Sequence, residues 1–227
     1  MKGAVITADM VNSSGMSFEQ KERLLDCIRE HLQALEKNGS IIKSQLFRGD
    51  SFQCLTANNT LGLRVALILK TFIKSLDPAM IKTTAEQLNK SSGLIFIDKM
   101  FDVRVSVGIG EVMYHEVGLG LSDGEAFQLS GRKLDDMKKQ KLTFAISTED
   151  IYKQELITLS ALLDFILSKT TALQCEVITL KLQGLTETDI AERLAVQQSA
   201  VNQRAGAAGW SAIETAVKRF ETIYSNG

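Results

Sequence analysis

The chain has 227 residues, of which 44% are hydrophobic and 23% charged, enough apolar material for a core and too much for wholesale disorder. A net charge of −1 excludes the strong overall basic field of many nucleic-acid binders, and no run approaches the roughly 18 apolar residues of a membrane span. The scattered Cys27, Cys54 and Cys175 exclude a disulfide framework or a CxxC metal site, and His31 and His115 are too few for a His-rich one.

The N-terminus carries no pattern of a secretory leader, so a cytoplasmic location is expected, with no membrane partner. Residues 2–8 form a β-branched apolar run that predicts a strand ending at Asp9. Ser17 and Gln20 make a capping box, after which Leu24, Leu25, Ile28, Leu32 and Leu35 recur at helical spacing until Asn38-Gly39 stops the helix. Strands over 40–47 and 51–56 flank Arg48-Gly49-Asp50, a hairpin turn. An amphipathic helix follows over 60–75, and the stretch 78–99 reads as partly helical.

Residues 103–110 alternate as a central strand, in which Gly108 and Gly110 read as packing glycines because no helix start follows them. A glycine-rich loop over 118–124 leads to a helix over 125–139. Its Lys138-Lys139 end, with Lys141, reads as a solvated terminus that complements the helix dipole. Residues 142–146 give the last strand, and Thr148-Glu149-Asp150 marks a helix start. The order β-α-β-β-α-β-α-β opens with the six elements of a ferredoxin-like arrangement. The expected fold is therefore α+β. It has a ferredoxin-like α/β domain over 1–147, a connector helix over 148–170 and an all-α helix-turn-helix domain over 171–227.

The case for a helix-turn-helix rests on spacing. Ala191 is small where two helices would cross, and Ile190, Leu194, Val196 and Val201 form an apolar seam. Gln198, Ser199, Asn202, Gln203 and Arg204 then open a second helix with side chains able to hydrogen-bond bases or phosphates, so DNA is the expected partner. Trp210 reads as a packing anchor. Six cations and six carboxylates over 169–227 leave this part neutral, which favours a packing or dimerisation role as the alternative and makes pairing of two copies useful for affinity. Thr188-Asp189-Ile190-Ala191-Glu192-Arg193-Leu194 resembles the helix-turn-helix of sigma-factor region 4 and of LuxR-type regulators, with Ala195 where glycine often stands.

Asp9 at the end of the first strand and Asp50 in the hairpin turn would stand side by side in a β-α-β-β fold, a hard-oxygen pair suited to Mg²⁺ or Mn²⁺. The bland alternative is that each simply fills a turn position. Thr7-Ala8-Asp9-Met10-Val11 and Arg48-Gly49-Asp50-Ser51-Phe52 resemble the two metal motifs of class III nucleotidyl cyclases. Together with the C-terminal module, the chain is similar over nearly its whole length to the SatD family. That resemblance implies a cyclase-like palm domain sensing a nucleotide and a metal, and a homodimer, because class III sites are completed by a second subunit. Gln128 stands where those cyclases orient ribose with Asn, and Ser51 where diguanylate cyclases carry Glu, which points to a degenerate site. Arg132 and Lys133 remain as cations able to stabilise phosphate charge. The alternatives are a cyclase-like enzyme acting on ATP or GTP, and a protein-interaction scaffold.

Overall fold

A computed structural model describes residues 1–11, 15–47, 50–76 and 101–225, and the helical reading of 78–99 lies outside them. Five strands form one mixed sheet: β1 (Lys2–Met10), β2 (Ile41–Leu46), β3 (Ser51–Thr56), β4 (Val103–Glu111) and β5 (Phe144–Thr148). The spatial order is β2-β3-β1-β4-β5. β1 lies antiparallel between β3 and β4, and β5 joins β4 in parallel. Among the described residues eight helices accompany the sheet, so the architecture is mixed α and β, and no helix is long and apolar enough to cross a membrane.

Alternation along β1 decides what each face of the sheet meets. Ala4, Ile6, Ala8 and Met10 point into the main core with Leu24, Ile28, Leu32 and Leu35 of α1 (Phe18–Lys37) and Leu63, Ala66 and Leu67 of α2 (Gly62–Ser75). Val5 joins Leu55 and Val112 on the other face, under Ala126 and Phe127 of α3 (Glu125–Gln140). That face also carries Thr7, Asp9, Arg104 and Ser106, because the register pairs Thr7 with Ser106 and Asp9 with Arg104. Gly108 makes the close approach of α3 possible. A Cβ there would fall 2.1 Å from the Ala126 carbonyl oxygen and 2.6 Å from the Ser130 nitrogen, both backbone atoms.

The last strand sits two residues later than its expected place over 142–146. Lys141 turns left-handed to close α3, and the Leu142 amide is spent on the Met137 carbonyl, so pairing begins at Phe144. Thr148 accordingly ends the buried strand instead of starting a helix. Asp150 accepts from the Tyr152 amide, and α4 begins only at Lys153 (Lys153–Lys169).

Four further helices follow: α5 (Ala172–Leu182), α6 (Glu187–Arg193), α7 (Gln198–Ala207) and α8 (Trp210–Ser225). Capping boxes at Thr171 with Gln174 and at Thr186 with Asp189 start α5 and α6, as Ser17 with Gln20 starts α1. The helices share the sheet's core, where Leu163, Ile178, Val217 and Phe220 pack in the same cluster as Ala4 and Val107. Two buried lysines of α2 hold this junction: Lys70 donates to Asp102 and to the Val103 carbonyl, and Lys74 to the Leu167 carbonyl at the end of α4.

Candidate functional site

Asp9 is only 7% exposed, which requires compensation for its charge. Two cations supply it, Lys138 of α3 at 3.0 Å from Oδ2 and Arg104 of β4 at 3.7 Å from Oδ1. The hydrogen bond to Asp9 in turn holds the Lys138 ammonium above its usual value. Compensation is incomplete. Asp9 Oδ1, Arg104 Nε and Ser106 Oγ are all buried and have no hydrogen-bond partner among the described residues. Beside them Gln53 donates to Thr7 Oγ1 at 2.9 Å, and Thr7 meets Ser130 Oγ at 2.8 Å, so the polar strip continues across the sheet.

Asp50 lies at the neighbouring strand end: Asp9 pairs with Ser51, and the Met10 amide donates to the Asp50 carbonyl at 3.3 Å. The backbones of the two aspartates are thus brought together as the spacing predicts. Among the described residues no three histidine, cysteine, aspartate or glutamate side chains gather to hold a metal ion. Arg132 is exposed on α3 and bonds Gln128 a turn earlier, and the cations found against Asp9 are neither it nor Lys133.

At the far end of the chain, α6 and α7 meet through the turn 194–197. Ile190, Ala191, Val201 and Ala205 bury their side chains with Val177 and Leu180 of α5, and Leu194, Val196 and Trp210 pack at the margin. Ala195 makes the turn at φ 51°, a left-handed conformation. With the apolar side sealed, α7 presents Gln198, Ser199, Asn202 and Gln203 to solvent and keeps Arg204 half-buried. Trp210 also lies under the Lys181 ammonium, 5.3 Å from the ring centre, in keeping with an anchoring role.

Four participants escape the sequence reading. Arg104 and Ser106 alternate with valines in a central strand, and a charge in such a position demands a partner, so that signal was present. Lys138, expected to be a solvated helix end, instead meets buried Asp9, a partner 129 positions away that only the packing of α3 on β1 brings near. The fourth is Glu187. Its carboxyl is held below the usual range chiefly by the hydrogen bond from Lys181, with further hydrogen bonds from Asn202 and Gln198. No protein-family model matches the chain, and a search of curated proteins finds no match.

Proposed function

We propose that the chain is a SatD-like regulator, in which a ferredoxin-like, cyclase-like palm senses a nucleotide with a divalent cation and a helix-turn-helix made of α6 and α7 contacts DNA. The observation that carries the DNA reading is the outward row Gln198, Ser199, Asn202 and Gln203 on a helix whose apolar side is sealed. The neutral balance of this part means that two copies are needed for useful affinity, so a homodimer belongs to the proposal.

The sensing reading rests on Asp9 Oδ1, which is buried without a hydrogen-bond partner among the described residues and meets Arg104 only at 3.7 Å. Asp9 and Asp50 fit a cation that arrives with a nucleotide, since Mg²⁺ characteristically takes one or two carboxylates and completes its shell with phosphates and water. Bound there, Mg²⁺ or Mn²⁺ would neutralise phosphate charge. Lys138 is 46% exposed and stands on the carboxylate the cation would use, so it is free to swing to the phosphates, where Arg104 Nε offers a further donor.

Selection of genomic fragments at low salt by the full chain, with and without GTP or ATP plus Mn²⁺, tests the proposal. Discrete sequences should be enriched. Asn202→Ala or Gln203→Ala should then cost about 1–3 kcal/mol at the selected site, and Arg204→Ala should weaken all sequences together. Absence of any enrichment would reject the DNA reading. The adjacency of the two aspartates also favours a nucleotidyl-transfer enzyme, and turnover of ATP or GTP with Mn²⁺ would decide for it. Indifference to both nucleotide and DNA would leave a protein-interaction scaffold.

A further inference from the structure

A cavity of about 380 Å³ opens where α1 and α2 meet α5 and α6, remote from the Asp9 cluster in sequence and in the elements that build it. Leu35, Leu180 and the Phe72 ring give it an apolar floor, and Asn38, Gln183 and Arg193 stand at its rim. His31 lies flat on Phe72, with ring centres 3.8 Å apart and planes 7° from parallel. Its Nε2 is buried without a hydrogen-bond partner among the described residues. A neutral ring nitrogen left unpaired in a fold costs free energy unless something completes it.

We infer that this cavity binds a purine base. The reasons are chemical. The paired rings offer a flat surface of the kind on which bases stack. Two carboxamides each provide a donor and an acceptor, the combination that reads a base edge. Arg193 adds a planar fork matching the O6 and N7 acceptors of guanine. Among the described residues no carboxylate lines the cavity, and the helices α1, α5 and α6 all end at its rim, so their carbonyl ends oppose a bare anion and favour a neutral ligand rich in N–H groups. The volume falls in the range of small-molecule sites. Arg193 is the last residue of α6, next to the turn that aims α7, so an occupant would bridge the sheet's helices to that turn.

Nucleosides without phosphate test this separately from the nucleotide reading of the Asp9 cluster, on which it does not depend. Guanosine and adenosine are titrated into the full chain, with binding followed by saturation-transfer NMR and by melting temperature. Saturable binding of guanosine is expected. Arg193→Ala should weaken it about tenfold, His31→Leu should weaken both nucleosides, and Lys138→Gln should leave both unchanged. Arg193 is exposed, so its variant reports binding even if His31→Leu impairs folding. The inference is overturned if neither nucleoside binds saturably, if Arg193→Ala binds guanosine as the wild type does, or if Lys138→Gln abolishes binding.

Discussion

Ala195 occupies the left-handed region at φ 51° in the turn before α7, where a Cβ costs about 1–2 kcal/mol. Glycine relieves that cost but gives back about 0.4–1 kcal/mol through the freedom of its unfolded chain. The difference favours glycine, so Ala195→Gly should stabilise the protein by about 0.5–1 kcal/mol in urea unfolding, and a loss of stability would show that the side chain earns its place by contact. His31 is the second residue with a legible consequence. Burial lowers its folded-state pKa from 6.5 to about 4, so the fold keeps the ring neutral while the unfolded chain takes up a proton first. The stabilisation from this residue is complete above about pH 6.5 and lost as the pH falls toward 4, with an upper bound of about 3 kcal/mol. Stability measured across that window should therefore fall less steeply in His31→Leu than in the wild type. Parallel curves would mean that the ring is solvated and titrates normally.

At the scale of elements, what the sequence made legible is what local chemistry dictates. The box of Ser17 with Gln20 begins α1, the stop at Asn38-Gly39 ends it, and alternation over 103–110 gives β4. The last strand was misplaced because Leu142 looks like a strand residue, and only the left-handed Lys141 shows that its amide belongs to α3. Of the aspartate pair, the placing of the Asp9 and Asp50 backbones on adjoining strand ends was readable, whereas the cations that meet Asp9 come from β4 and α3 and depend on the finished packing. The same distinction applies to α7, whose polar row is plain from spacing but whose tether to α6 is not. Glu187 pairs with Lys181 at 2.8 Å and stands beside Asn202 and Gln198, which places a negative charge next to the proposed reading face. Glu187→Gln should therefore raise DNA affinity several-fold at low salt. Freeing the Lys181 ammonium for one more phosphate should steepen the logarithmic salt dependence by about 0.9. Unchanged affinity and slope in a binding titration over a range of salt concentrations would place Glu187 away from the DNA.

At the scale of the whole molecule, one core cluster holds residues from both sides of the 147–171 boundary expected from the order of elements. Phe220 of α8 is fully buried in the cluster that holds Ala4 and Val107, and a Cβ on Gly62 would lie 3.5 Å from its ring and 2.7 Å from the Ala4 Cβ. Arg64 of α2 reaches Glu221 of α8 at 2.7 Å and the Leu182 carbonyl of α5 at 2.9 Å, and Thr71 meets Thr179 at 2.8 Å. A core and a polar lattice shared in this way couple the stability of the sheet to that of the last helices, because neither can lose its partner without exposing apolar surface. Trp210 is the only tryptophan and sits where α8 begins, touching both the main core and the cluster between α5, α6 and α7. Its fluorescence reports the C-terminal helices, while far-ultraviolet circular dichroism reports all of them. The two signals should follow one transition with the same midpoint in urea. Phe220→Ala should shift both together by about 3–5 kcal/mol, the usual cost of removing a buried phenylalanine. A Trp210 transition separated from that of the sheet, or a Phe220→Ala variant in which only one signal moves, would show the C-terminal helices to be an independent lobe. Any coupling between a ligand on the sheet and the orientation of α7 would then need another route.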